Sequence, residues 1–461
     1  MGITIVQKSD LSKKKSHAKI ALVLAGGAIT GGTYKVGGLK ALDDFLVNRK
    51  VTDFDMYVGV SAGGLLAVPL AGGIGPDEIL KSLDGSSKLF SQLSPWEVYY
   101  PNFREFFERP LGYLYHKMTY FPGILYDSLL AFPKLWKPLR SGFEKFLADP
   151  DYSHFESMLR PLAKIAYSGR SMPSLSEAFP SGLFDTRSLE RFMRKNLVRN
   201  DLPNDFRAFQ KINGKSLYIC AMNIDSSERV VFGADEKNDV SISEAVQASL
   251  SLPPFYKPAR IKGIDYIDGA VRKTLNADVA IAKGAQLVIC YNPFRPYSNK
   301  LVMEYLREED EYVTRSRRLS SSGIFMILNQ VFRTVLHTRV RYFTDQIRSD
   351  PKFKGDLILI EPKEDDPVFF EMNPFSFWSR AQAAQHGFNS VRQTIRARYD
   401  EVEKILSSYG ITMTQELVDL DYETMKKATS DDVTIMSVLE QKGFRGQSRN
   451  AISRLRLVAH S

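Results

Sequence analysis

The 461-residue sequence predicts an α/β protein with a mainly parallel central sheet, and two observations carry that prediction. The first is a pair of continuous apolar runs, residues 19–25 (KIALVLA) and 55–60 (DMYVGV), each of which reads as a strand buried on both faces. The second is that each run passes into a turn of glycine and small residues and then into a helical stretch. After the first run, Leu39, Leu42 and Leu46 recur at i, i+3 and i+7. After the second, residues 62–68 read as a helix that Pro69 is expected to kink or end. Two strand–turn–helix units within about fifty residues are the opening of a parallel α/β sheet.

The remaining elements are taken in chain order. Residues 1–17 are polar and are expected to form a flexible arm. Residues 86–140 change character: fourteen aromatics are interleaved with prolines and with Arg104, Arg109, Lys117, Lys134, Lys137 and Arg140. This composition suits a lid or a lipid-facing surface, with core packing of a helical insertion as the alternative. Residues 183–197 read as a capped helix, 215–225 and 228–234 as paired strands, and 242–250 as a helix. A Pro-Pro turn leads to DYIDGAV (265–271), then a helix at 276–283 and a strand at 286–292. Residues 300–350 are expected to be a helical insertion, 356–362 a strand and 376–407 one long helix. The last stretch, 408–461, is expected to be a basic extension, with Lys442, Arg445, Arg449, Arg454 and Arg456 and no acid after Glu440.

Composition narrows the function classes. Hydrophobic residues make up 44% and charged residues 25%, which argues against a largely disordered chain. No stretch approaches the ~20 uninterrupted apolar residues that span a bilayer. The best candidate, 323–336, is interrupted by Asn329, Gln330 and Arg333. The basic N-terminus lacks the apolar core of a signal peptide, so a cytoplasmic location is expected. Cys220 and Cys290 each end an apolar run and read as buried free thiols rather than a disulfide or metal pair. A net charge of +9 fits an anionic membrane surface; nucleic-acid binding would rest on charge alone and is not expected. Oligomeric state is left open.

The pentapeptide Gly59-Val60-Ser61-Ala62-Gly63 matches G-x-S-x-G. A serine on a sharp strand-to-helix turn needs small neighbours, and the N-terminus of the next helix favours negative charge developing beside it. The turn at 26–32 (GGAITGG) fits neither a dinucleotide fingerprint nor a P-loop, because its glycines are misplaced and Gly32 or Thr33, not lysine, directly follows the last one. It fits an oxyanion hole instead, with backbone N–H groups facing an ester attacked by Ser61.

Taken together, ALVLAGGAITGGTYKVGGLKAL, VGVSAGG and ASLSLPPFYKPARIKGIDYIDGAV resemble the three signature blocks of patatin-like phospholipases, in the family's order and at similar intervals. The resemblance covers roughly residues 18–295, and 354–407 in part. It implies a three-layer α/β fold, with a catalytic domain at 18–407 that carries the insertions at 86–140 and 300–350. It implies Ser61 as nucleophile and Asp268 as its partner. Gly26, Gly27, Ala28 and Ala62 would supply the oxyanion hole, with Gly31, Gly59, Gly63 and Gly269 as motif support. No metal or other cofactor is implied. Two positions depart from the family pattern: its third glycine is Ala28 here, and its usual arginine is Thr30.

A serine needs a base. An α/β-hydrolase would use a histidine late in the chain, such as His337 or His386, but in that fold several strands precede the elbow, and here only one βα unit does. The expected base is therefore Asp268, and the expected activity is cleavage of fatty-acyl esters of phospholipids or other acyl lipids at a membrane surface. A transacylase with the same residues and a non-catalytic lipid-binding scaffold are the competing functions.

Overall fold

The apolar runs form the middle of a nine-stranded sheet. The computed structural model describes residues 2–168, 174–301, 303–306, 311–314, 318–427 and 432–440. The chain divides into two compact units, Met1–Tyr100 with Phe184–Ser461, and Pro101–Leu183. The sheet belongs to the first. Its strands are β1 (Ile3–Gln7), β2 (Ile20–Leu24), β3 (Met56–Val60), β4 (Ser216–Asn223), β5 (Arg229–Phe232), β6 (Ala259–Ile261), β7 (Ile264–Asp268) and β8 (Leu287–Tyr291). After a separate hairpin, β9 (Met303–Leu306) with β10 (Glu311–Thr314), comes β11 (Asp356–Ile360). The order is β1-β11-β8-β2-β3-β4-β7-β6, with β5 also on β4. The run from β11 to β4 is parallel, while β1, β5, β6 and β7 pair antiparallel.

Alternation along the strands builds two cores. Ile20, Leu22 and Leu24 face one layer, while Ala21 and Val23 face the other. On the first side lie α1 (Ala28–Phe45), α2 (Ala62–Ala71) and the helices Ile242–Leu250 and Arg380–Arg396. On the second lie Ala277–Ala282 and Ile324–Ser349. This is the helix–sheet–helix arrangement expected of parallel strands, which must be covered on both faces. Cys220 and Cys290 are buried free thiols on β4 and β8.

Several expectations change. The arm at 1–17 is not loose throughout, because Ile3–Gln7 is an edge strand on β11. It is tied down by the buried Asp356 carboxylate, which accepts from the N–H groups of Lys8 (2.9 Å) and Ser9 (3.0 Å) and from the Tyr409 hydroxyl (2.9 Å). Helix α1 begins at Ala28, so part of the glycine-rich turn is its first turn. Pro69 lies inside α2, which runs on to Ala71. The segment 300–350 contains a hairpin before its helix, and 376–407 contains two helices, Arg380–Arg396 and Tyr399–Ser408. The region after 408 is not simply a basic tail. Helices Glu416–Lys427 and Asp432–Leu439 fold onto the first unit, and Asp421 joins Asp44 around the buried Lys40 ammonium at 3.0 and 2.5 Å. The basic residues from Lys442 to Arg456 lie outside the described residues.

In the second unit, Phe103–Ala148 is one long helix that contains Pro110, Pro122, Pro133 and Pro138. It packs on Tyr152–Ser168, with Gly142 set against the backbone of Met158 and the rings of Phe146 and Phe155 5.7 Å apart. Much of its apolar surface is exposed, including Phe107, Met118, Leu129, Leu130 and Trp136.

Candidate active site

Strand register brings Ser61 and Asp268 together. Val60, the last residue of β3, pairs with Cys220 on β4, and the next residue, Ala221, pairs with Asp268 at the end of β7. Strand β5 takes the other edge of the same two residues, so β3 and β7 meet end to end along one edge of β4. Two residues far apart in the sequence therefore leave the sheet at adjoining points.

Ser61 occupies a strained turn. Its φ is 57°, in the left-handed region, and it is the N-cap of α2. The small neighbours are sterically required. A Cβ on Gly59 would lie 2.5 Å from the Gly64 Cα, and one on Gly63 would lie 2.1 Å from the Leu24 carbonyl oxygen. The Ser61 N–H donates to the Ser249 hydroxyl (2.7 Å), which donates to the Cys220 carbonyl (2.6 Å) and so ties the turn to β4.

Asp268 is buried and accepts a 2.8 Å hydrogen bond from the Ala270 N–H. Gly269 is required beside it, because a Cβ there would lie 2.6 Å from the Cys220 carbonyl oxygen. Burial pushes the Asp268 carboxyl up to about 6, while the Ser61 hydroxyl, the Ala270 N–H and the Lys35 charge favour its ionised form. A carboxylate so placed is ionised at neutral pH and is a stronger base than one in water.

Facing Ser61 is the end of β2. A Cβ on Gly26 would lie 3.1 Å from the Ser61 Cβ, and one on Gly27 would lie 2.9 Å from the Gly31 carbonyl carbon. Gly31 meets only an ordinary contact with Pro293, so space does not demand glycine there. Ala28, at the family's third glycine, has φ 52° and so takes up a left-handed conformation that glycine adopts at lower cost. Among the described residues, the N–H groups of Gly26, Gly27, Ala28 and Ala62 have no acceptor, whereas those of Ile29 and Thr30 both donate to the Pro374 carbonyl (3.1 Å). Thr30, in place of the family's arginine, bonds the Asn373 carbonyl (2.6 Å).

Ser61 opens onto an apolar pocket lined also by Leu65, Leu66, Ile79, Leu83, Phe90, Val98, Leu189, Phe192, Leu250 and Phe377. Phe90 and Val98, from the aromatic-rich stretch, thus belong to this unit. Among the described residues, Arg380 is the one charged side chain in the lining. No described histidine lines it: His337 faces Glu361 (3.4 Å) and His386 faces Asp366 (2.7 Å) elsewhere. In the second unit, Asp149, Asp151 and His154 cluster at the start of Tyr152–Ser168, where Asp151 accepts from the His154 N–H (2.7 Å). Sequence reasoning missed Ser249 and Lys35. Both lie within the quoted blocks, but at positions no motif marks, and only the fold brings them to the turn.

The family model for patatin-like phospholipase matches residues 22–281. A comparison with curated proteins finds no match. Among solved structures, the crystal structure of VipD from Legionella pneumophila is similar at 16% identity, over 95% of this chain and 82% of that one. The TM-score is 0.35. The family match spans more than half of the chain, from β2 through Asp268, and the chain belongs to the patatin-like phospholipase family.

Proposed function

We propose that this chain is a lipid acyl hydrolase in which Ser61 is the nucleophile and Asp268 its base. The observation that carries the reading is the pairing itself: a serine on a strained elbow beside a buried carboxylate raised to about 6, at the mouth of an apolar pocket. Asp268 accepts the hydroxyl proton as the Ser61 Oγ bonds to the ester carbonyl carbon. The N–H groups of Gly26, Gly27, Ala28 and Ala62 take the oxyanion; one such donor typically contributes ~3–4 kcal/mol. The ester C–O bond then breaks, and the leaving alkoxide recovers the proton. Water, deprotonated by Asp268, attacks the acyl-serine, releasing fatty acid and restoring the hydroxyl.

The pocket supports an acyl chain, because each buried CH₂ contributes about 0.8 kcal/mol. Arg380 beside it favours a substrate that carries negative charge, as phospholipids do. Contact with the membrane is assigned to the exposed apolar face of Phe103–Ala148.

The test is release of free fatty acid from mixed phospholipid vesicles by wild type and by Ser61→Ala, with folding of both verified. Wild type should release acid, and the variant should lose at least about 1000-fold in kcat. Acyl transfer to added glycerol in place of release would favour the transacylase. No product from wild type on neutral or anionic vesicles would leave the scaffold.

A further inference from the structure

Lys35 is a buried lysine that the reaction above does not use. It lies on α1, its side chain is fully buried, and no carboxylate of the described residues is within ion-pair distance. Burying an ammonium without a salt bridge costs several kcal/mol, and an aliphatic residue would fill the same space. The ammonium donates instead to two backbone oxygens, the carbonyls of Ala25 and of Gly26 (3.0 Å).

Those carbonyls belong to the segment that faces Ser61. In a planar trans peptide the C=O and N–H point in opposite directions. The Ala25 carbonyl shares its plane with the Gly26 N–H, and the Gly26 carbonyl shares its plane with the Gly27 N–H. Both carbonyls turn toward Lys35, so both N–H groups turn away from it, and both lack an acceptor among the described residues. Glycines would otherwise let these planes rotate. A cation on the carbonyl side also polarises each amide and strengthens it as a donor.

We propose that Lys35 is a positioning residue of the acyl-transfer site, whose ammonium clamps the Ala25–Gly26 and Gly26–Gly27 peptide planes so that their N–H groups are set for the oxyanion formed at Ser61. The inference rests on the reading of Ser61 as nucleophile. It also accounts for how the loop keeps its charge and order with Thr30 where the family has arginine. Asp268 is the charged group that acts on Lys35, and it opposes the effect of burial, which lowers the ammonium to about 7.

The experiment compares wild type, Lys35→Met, which removes charge and donors, and Lys35→Gln, which keeps donors without the charge. Three readouts are taken: kcat and KM on a soluble fatty-acyl ester across pH, the rate of Ser61 labelling by a fluorophosphonate, and amide hydrogen exchange in the peptide spanning 24–32. Lys35→Met should fold at least as stably as wild type, since it buries no charge. Its kcat and labelling rate should fall about 100-fold, with KM changed less than about threefold. Exchange in 24–32 should quicken, and Lys35→Gln should recover part of both losses. The acid limb near 6 should move up in both variants, because Asp268 loses a neighbouring cation. A folded Lys35→Met with wild-type kcat, labelling and exchange overturns the proposal. So does a variant that loses only stability. A wild type that neither hydrolyses the ester nor labels at Ser61 instead sinks the serine reading itself, and is told apart because Lys35 was never altered.

Discussion

At Asp268 stability and activity pull in opposite directions. Its carboxyl has an ordinary value of 3.8 and is raised to about 6 by burial. Below about pH 4 both folded and unfolded chains hold the proton, and the residue costs nothing. Between about 4 and 6 the unfolded chain releases its proton while the folded one keeps it, so stability falls as pH rises. Above 6 the full cost, on the order of 3 kcal/mol, is present. Asp268→Asn should therefore abolish fatty-acid release and raise the denaturant midpoint at pH 7 to 8, with the gain vanishing by about pH 4. The asparagine oxygen can still accept from the Ala270 N–H. A variant with unchanged or lower stability at pH 8 would contradict the assigned burial cost, and a wild-type profile with no loss of kcat/KM below about 6 would contradict the role as base.

Among the elements, α1 and the helix Arg380–Arg396 cross through two glycines. A Cβ on Gly37 would lie 1.9 Å from the Ala384 carbonyl oxygen, and one on Gly387 would lie 1.9 Å from the Tyr34 carbonyl oxygen. The backbones touch, and nothing flexible stands in the way to yield. Gly387→Ala should destabilise by about 3 kcal/mol or more. It should also lower kcat, because α1 begins at Ala28 and carries Lys35. Gly112→Ala, in the other unit and with open space around it, is the control and should be neutral or slightly stabilising. Comparable thermal midpoints for the two variants would show that the crossing is not as tight as the geometry requires.

For the molecule as a whole, the exposed apolar surface of the described residues concentrates in Pro101–Leu183, on the helix Phe103–Ala148. Leu129 and Trp136 are 65% and 54% exposed, far from what a core residue shows. If this face meets lipid, Leu129→Asp with Trp136→Asp should cut sedimentation with anionic phospholipid vesicles about 10-fold or more. Turnover of a soluble short-chain ester, which needs no interface, should be unchanged. Vesicle binding equal to wild type would remove this helix from the interface. The excess of basic residues predicts that binding weakens with salt.

The sequence by itself determined the central strands, the elbow and the family. Strands buried on both faces must be continuous apolar runs, and a serine turn with no room for side chains must be written in glycine and alanine, as Gly59, Ala62 and Gly63 are. Asp268 was legible only because DYIDGAV sits in a third block of the same resemblance. What only the tertiary structure decided depends on partners distant in the chain. Strand β1 exists because Asp356 accepts from Lys8 and Ser9. The helix Glu416–Lys427 is held where Asp421 meets Lys40. Ser249 and Lys35 reach the turn because the helices Ile242–Leu250 and α1 carry them there. A lone serine or lysine leaves no local period or spacing to read: its role is set by the carbonyl it meets, and that carbonyl is chosen by the packing of the whole sheet.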